Sequence, residues 1–209
     1  TREFHQVLDE VDVEFPDIRV VIITGAGRGF CAGADVLAQA ETLRKNEAKP
    51  AAPPTADDPV SLGTVPYTNI PTLAEHIRKI AQPVIAAVNG VAAGAGISIS
   101  LASDIRIASE AARFSEIFVK RSLVPDTGSA YTLSSAVGRG IAMEMALTGR
   151  LYDAAWALEK HLVNKVVPAD ELISEAEGIA DEIANNPPLC VREIKQLMYS
   201  FDPSMEQVL

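Results

Sequence analysis

Two stretches of small residues dominate the chemistry this chain could do. The first is Thr24-Gly25-Ala26-Gly27-Arg28-Gly29-Phe30-Cys31-Ala32-Gly33-Ala34-Asp35, and the second is Val88-Asn89-Gly90-Val91-Ala92-Ala93-Gly94-Ala95-Gly96. Each follows a short apolar run and opens a helical pattern. Small residues at the head of a helix leave backbone N–H groups uncovered, and those groups carry the positive end of the helix dipole. Such a junction can hold an anion or a developing oxyanion. A purely structural role, close packing of helix on strand, uses the same glycines. A dinucleotide fingerprint fits poorly. Read from Gly25, its third glycine falls on Phe30; read from Gly27 it falls on Ala32, but the chain then runs into a proline-rich stretch instead of a second strand ending in an acid.

Other reactive side chains are sparse. His5, His76 and His161 are scattered, which suits core or surface roles. Cys31 and Cys190 make neither a disulfide framework nor a zinc pattern, and read as free thiols in a reducing cytoplasm. No metal site is expected. Asp126, in Leu123-Val124-Pro125-Asp126-Thr127-Gly128-Ser129, is placed to cap the helix that follows. Arg28, Arg44, Lys45 and Lys49 are either solvated or placed to meet phosphates near the first glycine cluster.

The elements that must position these residues alternate. Phe4, Val7, Leu8 and Val11 predict a helix over 3–13. Arg19–Thr24 and Val84–Val88 read as strands buried on both faces, and 104–108 and 163–167 as further strands. Helices are expected over 34–45, 70–80, 94–102, 125–136, 139–147, 152–159, 169–184 and 188–200, while 114–120 resists assignment. Five prolines within 46–66 predict a loop. Alternating strands and helices argue for an α/β fold with parallel pairing. The chain has 209 residues, enough to bury one sizeable core without staples. It carries 28 acidic against 18 basic residues, a net charge of −10, which makes nucleic acid or an anionic membrane a poor partner. Apolar runs are too short to span a membrane. Thr1 lacks a preceding Met, and Leu209 falls inside a helical pattern, so both ends are expected to continue.

Gly29-Phe30-Cys31-Ala32-Gly33-Ala34-Asp35 is similar to a signature of the enoyl-CoA hydratase/isomerase (crotonase) family, and Pro83–Gly96 resembles its second signature. Ser103–Ala108, Phe114, Leu123-Val124-Pro125, Ala142-Met143-Glu144, Ala146–Gly149 and Leu162–Val167 continue the likeness in order. The resemblance implies an α/β, crotonase-like ββα spiral over 1–167 with a C-terminal helical trimerisation region over 168–209. It implies a cytoplasmic homotrimer or homohexamer acting on acyl-CoA, with coenzyme A carried as part of the substrate and no separate cofactor.

By motif position, the thioester oxygen would sit between the N–H groups of Ala34 and Ala95, which serve through their backbone alone. Ala32, Asp35, Val36, Leu37, Gly94, Ser98, Phe118 and Leu123 would line the substrate, with Ile117 as a further wall. Family hydratases place two glutamates where this chain has Ser98 and Phe118, so ordinary hydration is not expected. Glu116 lies two residues from the second position and suits solvated surface or a structural hydrogen bond. The segment around Asp126 resembles the family's isomerases, including those acting on ring-opened phenylacetyl-CoA and dienoyl-CoA, in which an aspartate at this position shuttles protons. The expected reaction is therefore a double-bond shift, with a hydratase or a non-catalytic acyl-CoA binder as the alternatives.

Overall fold

The computed structural model describes residues 2–33, 72–125 and 127–200. The expected helix over 34–45, the loop over 46–66 and Asp126 lie outside the described residues. The chain before and after the 34–68 stretch belongs to one compact unit.

The chain order begins with α1 (Arg2–Val13), β1 (Val21–Thr24), β2 (Gly29–Cys31), α2 (Leu73–Lys79), β3 (Val84–Val88) and β4 (Val91–Ala93). It continues with α3 (Ala95–Ala102), β5 (Ile105–Ser109), β6 (Arg113–Ser115), a 3-10 helix (Ile117–Arg121), α4 (Ser129–Val137) and α5 (Arg139–Thr148). It closes with β7 (Tyr152–Asp153), α6 (Ala154–Glu159), β8 (Lys165–Val167), α7 (Leu172–Ala184) and α8 (Pro188–Tyr199). Strands β1 to β6 alternate between two sheets, ordered β1-β3-β5-β8 and β2-β4-β6-β7, with β7 joining the second sheet and β8 the first. The first sheet is parallel throughout; in the second only β6 and β7 run antiparallel. Each long strand thus turns sharply into a short one in the other sheet before the chain moves on. This is the ββα repeat that the family resemblance implied.

Strand β3 shows why the apolar runs form the first sheet. All five of its residues are buried. Because side chains alternate across a strand, Ile85 and Ala87 face one side and join Ile107, Val167, Leu172 and Ala176, which brings α7 onto that face. Ala86 and Val88 face the other and join Ile97, Leu101, Phe114, Leu133 and Met145. A strand covered on both faces needs apolar residues at every position. Helices α1 and α2 close one end through Leu8, Leu73 and Ile77 against Val84 and Ala102.

The short strands of the second sheet were not expected. Residues 29–31 and 91–93 read as turn and helix approach, 113–115 fell in the unassigned stretch, and 152–153 were taken into a helix. None is longer than three residues, too short to show a period. No helix among the described residues is long and apolar enough to cross a membrane.

Helix α8 is fastened to the core by charge. Asp104 accepts from the Val84 N–H at 2.7 Å and from the Tyr199 hydroxyl at 2.6 Å, and pairs with Lys195 Nζ at 3.0 Å. Lys195 also donates to the carbonyls of Ile77 at 3.2 Å and Gln82 at 2.8 Å. Burial pulls the Lys195 pKa down against the opposing pull of Asp104. Burial, then Asp104, pushes the Tyr199 phenol up. Removing one partner of a buried pair strands the other's charge. Asp104→Ala should therefore lower unfolding stability by about 3–5 kcal/mol in urea titrations, far more than loss of an exposed pair such as Lys165–Glu175.

Candidate active site

The described ends of the two glycine-rich stretches, Cys31–Gly33 and Ala93–Gly96, meet in space. Helix α3 begins at Ala95, and Gly94 before it adopts φ 56° and ψ −122°, a backbone region open essentially to glycine. Its own N–H donates to the Ser115 carbonyl at 3.2 Å, which pins the junction to β6. Ala95 comes first in the helix, so its N–H has no intrahelical acceptor, and among the described residues no other acceptor meets it. Ala95 is half-buried between fully buried neighbours.

The first glycine cluster reaches this same point. Gly33 adopts φ 98°, and a Cβ built on it would stand 3.2 Å from the Ala93 carbonyl oxygen and 3.7 Å from the Ala95 nitrogen. Just behind, a Cβ on Gly96 would fall 1.9 Å from the Cys31 carbonyl oxygen, inside bonding distance. The first turn of α3 therefore lies directly on the end of β2 with no side chain between. Asn89 fixes the turn that leads into β2. Its Oδ1 accepts from the Gly25 N–H at 3.1 Å, and its Nδ2 donates to the carbonyls of Gly27 at 3.0 Å and Gly29 at 3.3 Å. The Asn89 carbonyl in turn accepts from the Ser109 hydroxyl at 3.0 Å.

The wall facing the α3 N-terminus is apolar. Ile117 Cγ2 and Phe118 Cζ lie 3.8 and 4.0 Å from the position a Gly94 Cβ would take. Phe118 is buried, whereas Leu123 is 37% exposed and reaches this region through its N–H, which donates to the Phe118 carbonyl at 3.0 Å. Ser98 is buried, and its hydroxyl is occupied by the Gly94 carbonyl at 3.2 Å. Ala32 and Arg28 are exposed. The described residues thus bring together Gly94, Ala95, Ser98 and Phe118 from the expected site. Ala34, Asp35, Val36, Leu37 and Asp126 lie outside them, as do Arg44, Lys45 and Lys49.

Glu116 is not on the surface. It is 1% exposed, and its Oε2 accepts from the Ser129 hydroxyl at 3.4 Å. Its neighbours explain the difference, because β6 carries Glu116 inward directly before the apolar 3-10 helix. The histidines also hold a surprise. His5 and His76 stack with ring centroids 5.1 Å apart between α1 and α2, their Nδ1 atoms 2.8 Å from each other, with Asp9 at 3.2 Å from His76. No group of three or more metal-ligating side chains occurs among the described residues.

Asn89 and Gly96 were not recognised beforehand as the residues that join the two junctions. Asn-Gly was read as a turn, and nothing in a single sequence distinguishes a glycine needed for close approach from one that merely permits a helix.

A family profile described as Enoyl-CoA hydratase/isomerase matches residues 1–208. The chain is 38% identical to the 1,2-epoxyphenylacetyl-CoA isomerase of Escherichia coli (strain K12), over 95% of this chain and 72% of that protein. It is 39% identical to the carnitinyl-CoA dehydratase of Proteus mirabilis (strain HI4320), over 87% of this chain and 64% of that protein. The crystal structure of an enoyl-CoA hydratase from Bacillus anthracis superposes with a TM-score of 0.79 at 36% identity, covering 94% of this chain and 70% of that one.

The contact between Gly96 and Cys31 predicts a sharp asymmetry between two glycine-to-alanine changes. Gly96→Ala should lower the melting temperature by about 5 °C or more, because backbone must move to admit the methyl group. Gly140→Ala, in α5 with open space around it, should leave the melting temperature unchanged or slightly raised. Thermal unfolding followed by circular dichroism reads both.

Proposed function

The chain belongs to the enoyl-CoA hydratase/isomerase family, whose members are acyl-CoA enzymes, and on that premise we propose that it shifts a double bond in an enoyl-CoA thioester by proton transfer. The observation that carries the proposal is the unoccupied N–H of Ala95 at the head of α3, beside Gly33. In this reading that donor meets the charge developing on a thioester oxygen. Its counterpart in this reading is the N–H of Ala34, assigned through the family motif.

The physical need is acidity. A proton next to a thioester carbonyl is too weakly acidic for an unaided carboxylate. One preorganised donor to the forming oxyanion contributes about 3–4 kcal/mol to lowering that barrier. In the proposed sequence Asp126 takes the proton from the α carbon of a 3-enoyl-CoA. The resulting dienolate is held at its oxygen by the Ala34 and Ala95 N–H groups. The aspartic acid then returns the proton to the γ carbon, and the double bond now lies between α and β carbons. No water is consumed and no electrons leave the substrate.

Three features favour this over hydration. Ser98 and Phe118 stand where family hydratases carry their two glutamates. The Ser98 hydroxyl is committed to the Gly94 carbonyl, so it is not available to activate water. The wall of Ile117 and Phe118 is apolar, which disfavours water at the reacting carbon. The E. coli relative named an isomerase has the same kind of name as the activity proposed here. Assembly as a homotrimer or homohexamer belongs to the same reading. Exposed apolar side chains such as Leu147 at 66% and Met198 at 71% support it, since such surface usually meets a partner.

Two substrates decide between the readings. Incubation with a 3-enoyl-CoA should produce absorbance of the conjugated thioester, and a 2-enoyl-CoA should show little loss of it. Loss of signal from the 2-enoyl-CoA would establish a hydratase, and no change in either a binder without chemistry. Asp126→Asn should abolish the isomerisation, with binding of the thioester retained; an active Asp126→Asn variant would remove Asp126 as the base.

A further inference from the structure

A peptide bond is one conjugated, planar unit, so what happens at its carbonyl is felt at its N–H. The Ala95 N–H belongs to the unit that begins with the Gly94 carbonyl. That carbonyl accepts two hydrogen bonds from one residue. The Ser98 N–H donates to it at 3.3 Å, which closes the first turn of α3, and the Ser98 hydroxyl donates to it at 3.2 Å. Ser98 is 0% exposed, so bulk water competes for neither bond.

Serine often bonds back to the carbonyl four residues earlier in a helix, and a second case in this chain supplies the comparison. The Ser134 hydroxyl bonds the Ala130 carbonyl at 2.8 Å, but the N–H of that same peptide unit, on Tyr131, already donates to the Gly128 carbonyl at 3.1 Å. At the head of α3 the shared N–H is that of Ala95, which meets no acceptor among the described residues. The surrounding backbone is also pinned. The Gly94 N–H donates to the Ser115 carbonyl at 3.2 Å, Gly94 takes φ 56° and ψ −122°, and Gly96 lies against the Cys31 carbonyl. A hydroxyl bonded to the carbonyl end of such a unit draws electron density toward that oxygen and leaves the N–H at the other end a stronger donor.

We infer that Ser98 is a positioning residue for the proposed reaction: its buried hydroxyl fixes and polarises the peptide unit joining Gly94 to Ala95, and so strengthens the Ala95 N–H as a donor to the enolate oxygen. The inference rests on the reading that Ala95 supplies one of the two donors. In this role Ser98 acts without touching the substrate and moves no proton. Its effect falls on charge that develops at the thioester oxygen, so it is felt in the enolate and hardly in the neutral thioester. One such donor is worth about 10²–10³-fold in rate, and a hydrogen bond strengthens the next in a chain by about 10–30%. Together these make the Ser98 hydroxyl worth about two- to eightfold.

Ser98→Ala removes the hydroxyl and leaves the N–H bond to the Gly94 carbonyl in place. It should lower kcat for 3-enoyl-CoA isomerisation by about two- to eightfold, with KM within about twofold of wild type. Its melting temperature should be unchanged or higher, since alanine is the better helix former. A 3-ketoacyl-CoA, which ionises to an enolate, reads the same donor without turnover. Ser98→Ala should bind that enolate about two- to eightfold more weakly and a saturated acyl-CoA as tightly as wild type does. Ser98→Thr keeps a hydroxyl on the same carbon and should restore both rate and enolate affinity. Ser134→Ala, the control, should alter neither. Wild-type kcat and enolate affinity in Ser98→Ala would overturn the inference. So would equal weakening toward the enolate and the saturated thioester, or a folded Ser98→Thr that fails to rescue. Should Ser98→Thr not fold, Ser98→Cys, a weaker donor of similar size, should fall between serine and alanine, and a value outside that interval would count against the inference equally. A wild-type chain that isomerises no 3-enoyl-CoA yet binds the enolate in this Ser98-dependent way would reject the isomerase reading and keep the inference, whereas one that binds no enolate would reject both.

Discussion

The backbone-to-backbone contact between Gly96 of α3 and the Cys31 carbonyl is the constraint on which the candidate site depends. It brings the first turn of a helix against the end of a strand from the other glycine cluster, at a separation that leaves no room for any side chain. Everything that makes the region suitable for an oxyanion follows from that closeness. Ala95 presents an N–H that its own helix cannot satisfy, and Gly33 stands beside it. The two-sheet architecture serves this contact. Because β2 and β4 pair in parallel while β1 and β3 do the same one layer away, two similar turns are stacked side by side, and the end of β2 is brought to the head of α3. Asn89 then locks the turns together with three hydrogen bonds that a residue without both a donor and an acceptor could not make.

Two acids, Asp104 half-buried and Glu116 fully buried, show how differently the fold uses carboxylates. Asp104 sits in a dense set of partners: a lysine, a tyrosine hydroxyl and a backbone N–H. It anchors the last helix, and its chemistry is spent entirely on structure. Glu116 lies in a patch of hydroxyls beside the apolar wall and includes a neutral hydroxyl among its contacts. A charge compensated by an ammonium fastens a helix, whereas Glu116 lies among hydroxyls at the point where β6 passes into the 3-10 helix.

How much of this could be read beforehand depended on length and burial. The five-residue run Val84–Val88 was legible because a strand covered on both faces must be apolar throughout, and the long amphipathic helices α1, α7 and α8 were legible through their 3.6-residue period. The second sheet was not, since strands of two or three residues contain no period to detect. In the site, the Ala95 junction was visible as a glycine-rich helix head. The role of Asn89 is hidden because its partners lie 60 to 64 residues back, across a turn whose fold has first to be known. Glu116 reads as solvated surface or a structural hydrogen bond, and its position at the inward end of β6 selects the second.

The choice of reaction within such a scaffold falls to very few side chains. Backbone N–H groups stabilise an enolate whatever is done with it next, so they select no particular product. What distinguishes hydration from a double-bond shift is whether a second group can deliver water to the β carbon. By the family resemblance Phe118 puts an aromatic ring where that group would be, and Ser98 turns its hydroxyl back onto its own helix. In the proposed reaction, with water unsupported on both counts, a proton taken from one carbon returns to the carbon skeleton. On that proposal a single carboxyl of correct reach suffices, and the choice between reactions rests on which side chains stand beside the backbone donors and not on the donors themselves.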